Sequence, residues 1–144
     1  MRNYCPCPNP NVGYFKTVPR QIKDQNIVIV EDDINVCQAL EIYFSSQNRV
    51  RTFGSAEEAM AATANFHDTD VFIIDYKLPE KTGVELFQHL RGTFSNAKYI
   101  LITGEMNYDL ADRTRQIGFD ALILKPFDVT ILDDNISGLI AATA

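Results

Sequence analysis

Three short stretches, "IVIV" (27–30), "VFII" (71–74) and "YILI" (99–102), are apolar without a break. A strand with one wet face alternates apolar and polar residues, so unbroken runs ask for cover on both faces. Between the runs lie segments of helical period. In "INVCQALEIYFSS" (34–46) the apolar residues Ile34, Cys37, Leu40, Ile42, Tyr43 and Phe44 recur at broadly helical spacing. "SAEEAMAATANF" (55–66) opens on Ser55 with Glu58 three positions later, a capping-box signature. "GVELFQHLRGTF" (83–94) aligns Val84, Leu86, Phe87 and Leu90, and "NYDLADRTRQIG" (107–118) ends on Gly118. Asp128 suits the cap of a last helix carrying Ile131, Leu132, Ile136, Leu139 and Ile140. "RVRTF" (49–53) alternates as a half-buried strand, and "DALILK" (120–125) is a final one, broken by Pro126. Five strands alternating with five helices predict a doubly wound α/β fold on a parallel sheet, with the flavodoxin-like order 2-1-3-4-5.

With 144 residues, 46% of them hydrophobic, the chain can fill one core and is short for two. Its net charge of −6 argues against direct nucleic-acid binding, which needs a basic face. No apolar run approaches a membrane span and no signal segment opens the chain, so the expectation is a cytoplasmic protein without a membrane partner. Residues 1–25 hold four of the six prolines and read as a flexible Pro-rich arm ahead of a domain over 26–144. Cys5 and Cys7 in "CPCPNPN" offer half a zinc site, but no Cys–His pair follows at ligand spacing, which favours a plain tail. Cys37 reads as a small core residue, and His67 and His89 are assigned no role.

In doubly wound sheets ligands bind beyond the carboxyl ends of the strands, where strand order reverses. Strand one ends in Glu31, Asp32 and Asp33, and strand three ends in Asp75. Carboxylates gathered this closely raise one another's pKa and suit a hard cation such as Mg²⁺. Strand four ends in Thr103 and strand five in Lys125. A hydroxyl and an ammonium at the same edge are the donors a phosphoryl group needs.

The segments "IVIVEDD" (27–33), "DYKLPEKTG" (75–83), "LITGE" (101–105) and "LKPF" (124–127) together resemble the receiver domains of two-component response regulators, the CheY-like superfamily, over about residues 26–142. The resemblance implies that Asp75 is the phosphoacceptor, taking a phosphoryl group from a sensor histidine kinase or a histidine phosphotransfer protein. It implies Mg²⁺ held by Asp32, Asp75 and the main-chain carbonyl of Lys77, with Glu31 acting through a water. Thr103 resembles the switch hydroxyl and Lys125 the phosphoryl-binding lysine, aimed by a cis bond to Pro126. Asp33 is expected to point away, and Gly104 to leave Asp75 accessible. Such a domain catalyses only its own phosphorylation and dephosphorylation, and it switches a surface for a downstream partner or output domain. Whether the domain stands alone or belongs to a longer regulator stays open.

Two departures qualify the match. Leu122 occupies the place, three residues before the lysine, where receivers commonly carry Tyr or Phe. Output is therefore expected to rest on the loop and helix 107–117. Lys77 and Glu105 are expected to pair over the acyl phosphate and tune its lifetime. The alternatives are a degenerate receiver serving as a phosphorylation-independent interaction module, or acids that merely cap helices. An aspartyl phosphatase would want an acid where Lys77 stands, and no Gly-rich phosphate loop is present. Tyr108, Leu110 and Leu122 suit either a partner patch or ordinary packing.

Overall fold

The structure, a computed structural model, describes residues 21–66, 68–105 and 107–143. Its elements alternate as expected: β1 (Asn26–Val30), α1 (Ile34–Ser45), β2 (Arg49–Phe53), α2 (Ala56–Ala62), β3 (Val71–Asp75), α3 (Gly83–Leu90), β4 (Lys98–Thr103), α4 (Tyr108–Ile117), β5 (Ala121–Leu124) and α5 (Val129–Thr143). The strands form one parallel sheet in the order β2-β1-β3-β4-β5.

The unbroken apolar runs follow from two cores, one on each face. Val28, Val30, Phe72, Ile74, Tyr99 and Leu101 face α2 and α3, where Leu86, Phe87 and Leu90 pack on them. Ile27, Ile29, Val71, Ile73, Ile100 and Ile102 face α1 and α5, against Leu40, Phe44, Leu132 and Ile136. Side chains alternate across a strand, so both sets must be apolar in β1, β3 and β4. Edge strand β2 has no fully buried residue and carries Arg49 and Arg51, charges of the kind that discourage further pairing.

Helix ends depart from the sequence expectation where a local contact takes over. Helix α3 stops at Leu90, short of Phe94, and the chain tightens there, the Thr93 amide donating to the Leu90 carbonyl three residues back at 3.0 Å. Phe94 then turns into the core against Phe72. Helix α2 stops at Ala62 and tightens into a 3₁₀ turn, Thr63–Asn65. Only half of the Ser55 box is formed. Ser55 Oγ accepts from the Glu58 amide, and the Glu58 carboxylate accepts from the Ser55 hydroxyl rather than from its backbone. Gly118 ends α4 at φ 124°, and the Asp128 carboxylate accepts from the Thr130 amide, as expected of a cap. Cys37 is half-buried against the α1–α5 core and His89 is exposed; Cys5, Cys7 and His67 lie outside the described residues.

The boundary at 25/26 does not hold. Residues 1–20 lie outside the described residues, whereas 21–25 are built into the domain. Ile22 is 7% exposed, its amide donates to Asp133 Oδ1 at 3.0 Å, and its carbonyl accepts from Asn48 Nδ2. Asp133, fully buried, also accepts from the Tyr43 hydroxyl at 2.7 Å. Among the described residues no helix is long and apolar enough to cross a membrane.

Burial, followed by the Asp133 hydrogen bond and charge, pushes the Tyr43 phenol up to about 12. An unfolded phenol ionises near 10, so the unfolded state loses its proton first and stability falls as pH rises from 10 towards 12. Tyr43→Phe should cost about 1 kcal/mol at neutral pH, from the lost hydrogen bond. It should also flatten the alkaline fall in stability, as denaturant melts at pH 7 and above pH 10 would show.

Candidate phosphoacceptor site

Strand register brings the chemical groups to one edge. Val30 lies opposite Ile74, so the next residues along, Glu31 and Asp75, end level beside each other. Thr103 pairs with Leu124, and the Lys125 amide donates to the Thr103 carbonyl at 2.7 Å, which sets Lys125 next to both. The Glu31 amide donates to the Phe53 carbonyl and the Tyr76 amide to that of Ile102, so the sheet holds the backbone on either side of the site.

The acids expected from the sequence converge, with one exception. One carboxylate oxygen each from Glu31, Asp32 and Asp75 lie within 4.8 Å of one another. Glu31 and Asp75 are buried, at 1% and 5% exposure, while Asp32 is exposed. Asp33 does point away: its carboxylate caps α1, accepting from the Asn35 and Val36 amides. Lys125 reaches between the buried pair, 2.5 Å from Glu31 Oε1 and 3.1 Å from Asp75 Oδ2.

Burial and the adjacent Asp75 push the Glu31 carboxyl up to about 7, in spite of the Lys125 ammonium. For Lys125 burial works against the charged form, but the two carboxylates more than offset it and the net shift is upward. A single ammonium thus serves two buried carboxylates, and the third acid opens the cluster to solvent. Three carboxylate oxygens in this arrangement form a hard donor set suited to a divalent ion with waters completing its shell.

Thr103 is 1% exposed, and its hydroxyl accepts from the Glu105 amide at 3.0 Å. Lys77 Nζ lies 2.8 Å from Glu105 Oε1, so an exposed ion pair ties the loop after β3 to the loop after β4. Glu105, first by hydrogen bond and then by charge, raises the Lys77 ammonium. The Lys125–Pro126 bond is cis. A Cβ added at Gly104 would meet open space, so the glycine is not needed there to avoid a clash. Leu122 is half-buried on the α2–α3 core; Leu110 is buried and Tyr108 exposed, so these do not form one shared apolar patch.

Sequence reasoning missed Gly83 and its neighbours. A Cβ at Gly83 would lie 2.3 Å from the Asp75 carbonyl oxygen, so the start of α3 touches the backbone of Asp75 only because position 83 has no side chain. Thr82 and Glu85 close a full capping box there, and the Gly83 amide donates to the Tyr76 carbonyl at 2.8 Å. The signal in "TGVE" (82–85) was present: a Thr followed three residues later by Glu.

The fold and edge together define a class, a doubly wound α/β domain with an acidic cluster and a lysine at its switch-point edge. The response regulator receiver domain family matches residues 27–137, and the chain belongs to that family. It is 30% identical over 112 residues to the transcriptional regulatory protein FlgR of Helicobacter pylori, covering 76% of this chain and 28% of FlgR. It is 29% identical over 105 residues to the transcriptional regulatory protein MalR of Bacillus subtilis, covering 72% of this chain and 45% of MalR. The chain therefore spans less than half the length of these curated relatives. Among solved structures, a CheY-like receiver domain from Methanospirillum hungatei has TM-score 0.75 at 25% identity, covering 83% of this chain and 96% of that one. A Burkholderia pseudomallei response regulator carrying a phosphorylated aspartic acid, a calcium ion and citrate has TM-score 0.70 at 23% identity, covering 84% of this chain and 74% of that one. The chain is thus a receiver domain of the two-component response-regulator kind, and the expected sheet order and CheY-like fold hold.

Glu31→Gln tests the charge balance of this edge. It removes one of two buried carboxylates sharing one ammonium, and should raise metal-free stability by about 1 kcal/mol or more. Thermal melts in EDTA would show this; a fall in stability would mean that the Glu31–Lys125 pair is net favourable.

Proposed function

We propose that this receiver domain takes a phosphoryl group on Asp75 from the phosphohistidine of a sensor kinase or phosphotransfer protein, in a Mg²⁺-dependent reaction. The observation that carries the reading is the meeting of Glu31, Asp32, Asp75 and Lys125 at the switch-point edge, beside Thr103. Asp32, Asp75 and the Lys77 carbonyl would hold the ion, with Glu31 through a water, and it would neutralise charge between the nucleophile and the phosphoryl oxygens.

Asp75 attacks in line: its carboxylate oxygen forms a bond to phosphorus while the phosphorus–nitrogen bond breaks and the imidazole leaves. The Lys125 ammonium, already against Asp75 Oδ2, moves to a phosphoryl oxygen. The Thr103 hydroxyl accepts from the Glu105 amide, and its own hydrogen can bond a second phosphoryl oxygen. Turning Thr103 inward would disturb that bond and shift the loop bearing Glu105, which is how the acyl phosphate would bias a two-state surface towards an output partner or domain. The relatives' names, transcriptional regulatory proteins, support an output in gene control through a further module of the regulator. With a net charge of −6, this chain is not itself expected to meet nucleic acid.

Intact mass after incubation with Mg²⁺ and acetyl phosphate or phosphoramidate tests the reading. The wild type should gain one phosphoryl group, and Asp75→Asn, or wild type in EDTA, should gain none. A wild type unmodified by small donors and by a phosphorylated kinase would favour the phosphorylation-independent interaction module, which the Leu122 departure suits. Followed in time, the same assay should show Lys77→Ala and Glu105→Ala losing the phosphoryl group severalfold faster, because the ion pair no longer spans the loops beside it. Unchanged rates would remove that role.

A further inference from the structure

The seam between α1 and α5 is plugged at one place and open at another. Ile22 plugs it, buried and fastened to Asp133 and Asn48. The open part is a groove of about 470 Å³ in which Val36, Ala39 and Leu40 of α1 face Pro126, Phe127 and Val129. Ile22, Leu40, Val36, Phe127 and Val129 belong to one apolar cluster, so plug and groove are continuous. Val129 and Asp133 stand four residues apart on α5, so the groove begins roughly 6 Å along the helix axis from the residue that holds Ile22.

The surroundings are acidic. Asp133, Asp134 and Asp128 all lie near enough to the Tyr43 phenol to act on it, and Asp33 caps α1 close by. Neither α1 nor α5 contains a lysine or arginine. Lys125, on the groove rim, is engaged with Glu31 and Asp75.

The chain enters this seam from residues 1–20, whose composition is the complement. They contain Arg2, Lys16 and Arg20 and no acid, and their +3 leaves −9 on the rest of a chain of net charge −6. They also carry Val12, Tyr14, Phe15 and Val18. At about 3.3 Å per extended residue, the stretch preceding Ile22 is long enough to run the length of the groove.

We propose that residues 12–20 dock in the groove between α1 and the β5–α5 loop, with Val18 and Phe15 as apolar anchors and Lys16 and Arg20 against Asp128 and Asp134. The inference stands on the groove and its charge, independently of phosphoryl transfer. Since Lys125 lines the groove and also contacts Asp75, the docked segment would adjoin the phosphoacceptor.

A nitroxide on Thr17→Cys, in a full-length Cys5→Ser, Cys7→Ser, Cys37→Ser background, tests this by paramagnetic broadening of ¹⁵N amide signals. The expected result is loss of the Val36, Ala39 and Val129 signals with α3 and α4 unaffected, and their recovery at high salt as the charge contacts are screened. Absence of broadening in the seam, or broadening centred on another face, would overturn the proposal. So would loss of the same signals when nitroxide-bearing ¹⁴N chains are mixed with unlabelled ¹⁵N chains, since the occupant would then be a second copy.

Discussion

Two carboxylates, Glu31 and Asp75, are buried side by side at the carboxyl edge of a parallel sheet, with the Lys125 ammonium between them. Burial, and then the neighbouring Asp75, disfavour the charge on Glu31. The rest of the architecture keeps this unfavourable pair in place. Two apolar cores clamp β1 and β3 from both sides, register sets the acids level, and β4–β5 pairing delivers the lysine. Added positive charge would relieve this electrostatic load. Asp32, exposed beside the pair, completes a donor set for a divalent cation.

The loops after β3 and β4 carry the consequences outward. Gly83 lets the start of α3 rest on the Asp75 backbone, which its missing side chain leaves within reach. Thr103 is buried but bonded to the amide of Glu105, which in turn pairs with Lys77 across the mouth of the site. A new acceptor at Asp75 would draw the hydroxyl's own hydrogen towards it and, by turning Thr103, tug on a loop already coupled to its neighbour. Leu122 supplies no aromatic ring to that movement, and it packs on the α2–α3 core.

Much of this was legible in the sequence because the signals are local. Unbroken runs such as "VFII" report cover on both faces, and strand-end positions place Asp75, Thr103 and Lys125 on one edge once the order is fixed. What escaped depends on contacts between distant residues. Asp133 looks like one more helix-surface acid, yet it is buried and binds Ile22, 111 residues away, and Tyr43, 90 away. For the same reason residues 21–25 read as tail although they close the α1–α5 seam. Gly83 needs a backbone neighbour to explain it, and the end of α3 is set by Phe94 turning into the core. No periodicity announces such contacts.

The acid cluster, Thr103 and Lys125 are proposed to form one site for a metal ion and a phosphoryl group on Asp75. A crystal structure with Mg²⁺ and beryllofluoride would test it most directly. The fluoride group is expected on an Asp75 oxygen, with Lys125 and Thr103 each bonded to a fluorine and Mg²⁺ on Asp32, Asp75 and the Lys77 carbonyl. Density showing Lys125 still between Glu31 and Asp75, with neither metal nor fluoride bound at saturating concentrations, would contradict it.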